Sequence, residues 1–140
     1  MSLTFIHDFQ KQLYSALSAD AWITNNINKI YFGVVQDGQS PFILINIQKA
    51  EDLSLHHNSI YSVDFQIIGY AKDHNHQLLV SLGDRVVELL SNSERCFGGY
   101  IIAGIKANDV QFERARDLVL NKLTINYKAL IKKEVYDELS

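Results

Sequence analysis

Residues 59–92 constrain this chain's fold more than any other stretch, because a long alternating segment runs almost directly into an amphipathic one. Tyr61, Val63, Phe65 and Ile67 fall on one face of an extended chain, and Ser62, Asp64 and Gln66 on the other. That is the period of two of a strand with one covered face. Asp73 and Asn75 then offer capping side chains, and Leu78, Leu79, Leu82, Val86, Leu89 and Leu90 follow at helical spacing. A strand with one apolar face and a helix with one apolar stripe each need a partner layer, which points to helices packed on a sheet.

The flanking segments extend this unit. Phe5, Phe9, Leu13, Ala16 and Leu17 recur at helical intervals and predict a first helix. Ser18 or Asp20 caps a short second turn around Ala21, Trp22 and Ile23, closed by Asn25, Asn26 and Asn28, with Trp22 as a lid on the core. Lys29 to Val35 reads as a short strand, and Gln36 to Pro41 as a turn built on Asp37-Gly38. Phe42 to Gln48 is a nearly continuous apolar strand, and Lys49 to Asn58 a polar loop with Leu53 and Leu55 exposed in it. After the helix, Ser91 to Gly99 reads as a loop. A strand from Tyr100 either ends near Lys106 or continues toward Phe112. Glu113 to Asp117 is then a charged hairpin end, and Val119 to Ile131 a two-faced last strand whose Lys122, Thr124, Asn126 and Lys128 blunt a sheet edge. Residues 133–140 read as a charged, frayed tail.

The expected order is helix, three strands, helix, two strands. The expected fold class is α+β: a two-layer sandwich with a mostly antiparallel sheet of about five strands and two main helices on one face. The 140 residues are expected to form a single domain. Its formal net charge of −3 carries no basic excess for wrapping or coating nucleic acid. Cys96 is the only cysteine, so no intramolecular disulfide framework arises. The start, Met1 to Asp8, lacks a signal-peptide pattern, and no apolar run approaches the roughly 20 residues of a membrane span. A soluble, reducing compartment is the expectation.

Candidate chemistry is sparse. His74 and His76, with His56, His57 and Asp52 upstream, are ligand types, but their spacing falls short of recognised metal sites, and a solvated loop and cap accounts for them better. Cys96 sits in no nucleophile signature, and a lone cysteine of this kind is expected to be a small buried hydrophobe. Glu51 and Asp52 are adjacent carboxylates on a loop and define no acid–base cleft. Phe5, Phe9, Trp22, Tyr31, Phe32, Phe42, Tyr61 and Phe65 read as core rather than a stacking platform. No catalytic, cofactor or metal set emerges. The expected functional surface is a subunit interface at Glu51, Asp52, Leu53, Leu55, His56 and His57, since apolar residues in a polar loop suit contact with another chain.

As an ordered set, these segments resemble the small tail-completion, or tail-to-head joining, proteins of long-tailed phages, related in fold to the lambda-type tail terminator. The resemblance spans residues 13–130. It starts with the helix from Leu13 to its small, acidic turn at Asp20 and continues through Lys29-Ile30-Tyr31, a Gly- and Pro-bearing connection and Pro41 to Ile45. A long polar loop, the strand Tyr61 to Tyr70, the helix through Leu90 and two closing strands complete it. One stretch departs: where many members carry a Trp and a Gly-rich, basic loop, this chain has the acidic, histidine-bearing Ala50 to Asn58.

The resemblance implies a non-enzymatic structural role without cofactors. Family members form a hexameric ring that caps the head-proximal end of the tail tube and presents a surface to the head–tail connector protein. The implied partners are further copies of the chain, the tail tube protein and the connector. DNA passes through the lumen without specific binding, and no membrane is involved. The implied setting is the virion of a phage, prophage or gene-transfer particle, at the tail–head junction, assembled in the bacterial host cytoplasm. A net-acidic subunit suits a channel through which DNA must slide. The alternative is a stand-alone α+β module that binds a small molecule or regulates a partner.

Overall fold

In the computed structural model, residues 3–33, 40–55, 58–72, 75–91, 95–115 and 120–133 are described. The elements are α1 (Thr4–Ser18), α2 (Ala21–Asn26), β1 (Lys29–Phe32), β2 (Phe42–Asp52), β3 (Ile60–Lys72), α3 (His76–Ser91), β4 (Arg95–Phe97), β5 (Tyr100–Ala115) and β6 (Leu120–Lys133). The strands form one sheet in the order β1-β2-β3-β6-β5-β4. All neighbours are antiparallel except β1 and β2, which run parallel.

The alternation in β3 does what its pattern requires. Tyr61, Val63, Phe65, Ile67 and Ala71 are buried against the helices. Phe9 of α1 meets Phe65 edge-on at 5.4 Å, and Phe5 stacks on Tyr61 at 4.7 Å. Gly69 completes that face: a Cβ there would stand 2.8 Å from Cδ2 of Leu82, so the missing side chain is what lets α3 lie close. The helix α3 buries Leu79, Leu82, Val86 and Leu90, the stripe expected from its spacing.

The α+β class holds, but the layout differs from a flat sandwich with about five strands and two helices. The sheet has six strands and curls into a half-barrel, so that α1 touches both β2 and the far-edge strand β4. Register shifts at Ile47/Lys49, Ile102/Gly104 and Ala107/Asp109 supply the bends. The extra strand, β4, lies in what reads as a loop and pairs with β5 through a turn at Gly98 and Gly99, both at positive φ. The short second turn becomes a full helix, α2. Asp20 is its cap, accepting from the Ile23 amide at 3.1 Å, and Asn26 bonds back to the Trp22 carbonyl instead of ending the helix early.

Four further expectations change. β2 does not stop at Gln48: Lys49 to Asp52 pair with residues 61–64 of β3, since a strand held by its neighbour's backbone needs no apolar side chains. β6 is no edge; it pairs with β3 from Ile60↔Lys132 to Lys72↔Leu120 and with β5 on its other side. Its lysines therefore face solvent from the middle of the sheet, with Lys128 Nζ 3.7 Å from Asp64. β5 takes the longer course to Ala115, so Glu113 and Arg114 belong to the strand and not to a hairpin end. Cys96 is exposed, because β4 lies at the rim. The expectations for Val34 and Val35, the Asp37-Gly38 turn, His56, His57, Asp73, His74, the stretch 116–119 and the tail 134–140 lie outside the described residues.

Candidate functional site

The proposed interface loop shrinks to a tight hairpin tip joining β2 and β3. The Leu53 amide donates to the Ile60 carbonyl at 2.8 Å, and Leu55 and Asn58 exchange backbone bonds at 3.2 and 3.0 Å. Asp52 Oδ1 accepts from the Ser54 amide at 2.8 Å, and Ser54 Oγ accepts from the Ile60 amide at 3.0 Å. These bonds with Ser54 hold the Asp52 carboxyl below its ordinary range. The polar residues of the loop thus brace it, and the apolar ones are left outside: Leu55 is 69% exposed and Leu53 43%. Glu51 is exposed on the strand end and pairs at 4.0 Å with Lys49. Of the six interface residues expected from sequence, Glu51, Asp52, Leu53 and Leu55 gather at this tip. His56 and His57 lie outside the described residues.

At the other end of the sheet is an exposed apolar surface that sequence reasoning missed. Val110 and Phe112 of β5 lie on the helix side yet are 46% and 51% exposed, with His76 of α3 5.6 Å from Phe112. On the opposite edge, Phe32 of β1 is 43% exposed, with Tyr14 of α1 5.8 Å away. Phe32 was expected in the core, as an aromatic in a short apolar strand; β1 is an edge strand, so its inner face is only half covered. The one sequence signal was faint: Phe112 closes the stretch Lys106 to Gln111, in which Ala107 and Val110 are the only apolar residues.

The convex face of the sheet combines an aromatic cluster, Phe42 stacked on Tyr70 at 4.8 Å and edge-on to Tyr31 at 5.6 Å, with polar rows. Asn46 Nδ2 donates to Gln66 Oε1 at 3.1 Å and Gln66 Nε2 to Asn126 Oδ1 at 2.9 Å, an amide ladder across β2, β3 and β6. Under the helices, Asp20 is buried and accepts from Arg85 of α3 through Nε at 3.0 Å and through Nη2. The Arg85 guanidinium holds the Asp20 carboxyl below its ordinary range against the opposing effect of burial. This pair ties α2 to α3 and is structural in its geometry. Among the described residues no group of three or more His, Cys, Asp or Glu could hold a metal ion, and no helix is long and apolar enough to cross a membrane.

No protein-family model and no curated protein matches this sequence. Among solved structures, the chain is similar to one from the virion of a native gene transfer agent (GTA) particle. The TM-score is 0.78 at 14% identity, covering 94% of this chain and 99% of that one. The two share a fold. The likeness spans nearly the whole of both chains, so neither carries a large element that the other lacks.

Proposed function

We propose that this chain is a structural protein of a phage or phage-derived particle, and that it acts without catalysis. Its task in that reading is to cap the head-proximal end of the tail tube as a hexameric ring and to join the tube to the head connector, with DNA passing through the lumen. The observation that carries the proposal is the near end-to-end fold likeness to a chain from a gene transfer agent virion. The exposed leucines of the braced β2–β3 tip support it, because a closed assembly needs surfaces that stay apolar in the free subunit. In this reading Glu51, Asp52, Leu53, Leu55, His56 and His57 meet a neighbouring subunit.

Deleting the gene and imaging the particles by electron microscopy tests the role. Over-long, irregular or headless tails are expected. Normal head-joined tails of ordinary length would overturn the proposal and favour the binding-module alternative.

A further inference from the structure

The sheet ends in two edges of unequal kind. At one edge, β4 covers only Tyr100 to Ile102 of β5, and among the described residues no strand pairs with the outer side of residues 103–113. At the other edge lies β1, the four residues Lys29–Phe32. Unpaired edges offer rows of backbone donors and acceptors to another strand.

Three observations fit these edges to each other. The first is direction. β1 runs with β2, and each later step to β3, β6 and β5 reverses, so β5 runs opposite to β1. A second copy placed beside the first in the same orientation therefore brings its β1 antiparallel to β5.

The second is level. The register runs in unbroken rows, with Lys29 beside Phe42, Tyr70, Lys122 and Glu113, and Phe32 beside Ile45, Ile67, Ile125 and Val110. Continuing those rows onto the next copy sets Lys29 opposite Glu113, Ile30 opposite Phe112, Tyr31 opposite Gln111 and Phe32 opposite Val110. The edges meet with no rise from copy to copy, as a closed ring requires and a helical filament does not.

The third is chemistry. Ile30 and Phe32 share the helix side of the sheet with Val110 and Phe112, so apolar faces apolar where both edges are exposed. On the convex side, exposed Lys29 faces exposed Glu113. Opposite charges and apolar pairs directly across an antiparallel pair stabilise it, and like charges there oppose it.

We propose that the chain assembles with further copies of itself by sheet continuation, β1 of one copy adding antiparallel to residues 110–113 of β5 in the next. The contact is heterologous, so a ring of such copies leaves no β1 edge open and covers the end of each β5 edge. This inference rests on the ring reading above and supplies its lateral contact. The β2–β3 tip lies at the opposite end of the strands and makes a separate contact.

The test is sedimentation velocity of the purified chain from micromolar to millimolar concentration. Lys29→Glu alone places two acids face to face, and Glu113→Lys alone two bases. Each is expected to weaken every contact about fivefold, the upper range for an exposed ion pair. An equimolar mixture of the two variants restores opposite charges at every contact, and so does the double variant. Both are expected to recover wild-type association. Phe112→Asp is expected to weaken association at least tenfold, with an unchanged circular dichroism spectrum.

Single variants that associate like wild type, a mixture that does not recover, or a wild-type chain monomeric throughout would each overturn the proposal. Failure here is distinguishable from failure of the capping role. If deletion deranges the tails and both charge-reversed variants still complement it fully, the capping role stands and the edge pairing falls.

Discussion

Tyr127 offers a prediction whose sign runs against habit. Its ring lies parallel to that of Phe65 at 5.0 Å and is 97% shielded, at 3% exposure, yet its Oη makes no hydrogen bond among the described residues. A buried hydroxyl without a partner costs roughly 1–3 kcal/mol in desolvation. Tyr127→Phe removes the oxygen and keeps the stacked ring, so it is expected to raise stability by about 1 kcal/mol at pH 7.

Burial also pushes the Tyr127 phenol well above its ordinary value of 10.0. The folded state then holds its proton while the unfolded chain releases it, so this tyrosine contributes nothing to pH dependence below about pH 10 and destabilises the fold above it. By pH 11 the loss reaches about 1.4 kcal/mol, the worth of one pH unit. The advantage of the variant should therefore grow from about 1 kcal/mol at pH 7 to about 2.4 kcal/mol at pH 11. Urea unfolding midpoints of the two proteins at both pH values measure this, since titrations common to both cancel in the difference. A variant less stable at pH 7, or a difference that stays flat with pH, would refute the account of an unpartnered buried phenol.

Asp20→Ala removes the cap of α2 and is expected to cost about 1 kcal/mol from that loss alone, read from thermal unfolding. The folded-state carboxyl is held below its ordinary 3.8, so its contribution is present above that pH and fades as the pH falls through the folded value. The gap between wild type and variant should close in acid; a constant gap would separate Asp20 from the Arg85 pair. Leu53→Asp with Leu55→Asp should change monomer stability by no more than about 0.5 kcal/mol, because both side chains already face solvent. The same variant should fail to rescue a deletion strain in particle imaging, and rescue would remove the tip from the interface.

Local pattern carried much of this fold. The two-faced strand β3, the leucine stripe of α3, the α1 stripe from Phe5 to Leu17 and the acidic cap before α2 were legible because each depends on neighbours a few residues away. So were the exposed leucines of the β2–β3 connection, since an apolar residue amid polar ones needs no tertiary knowledge to stand out. The β4 strand was not legible: Arg95, Cys96 and Phe97 form a strand only because the Gly98-Gly99 turn folds them onto β5.

Strand order lay further out of reach. The last strand alternates in the same way whether it sits at an edge or in the middle. Only its pairing with β3, about fifty or more residues earlier in the chain, makes it central and leaves β1 at one edge and β5, covered only by the short β4, at the other. The sequence by itself determined the main helices and strands and, for α1, β3 and α3, which face is apolar, because those follow from spacing along one chain. Tertiary structure alone decided which edges stay open and that Lys29 and Glu113 stand in one row. Edges and rows belong to the sheet, and the sheet exists only once distant strands have met.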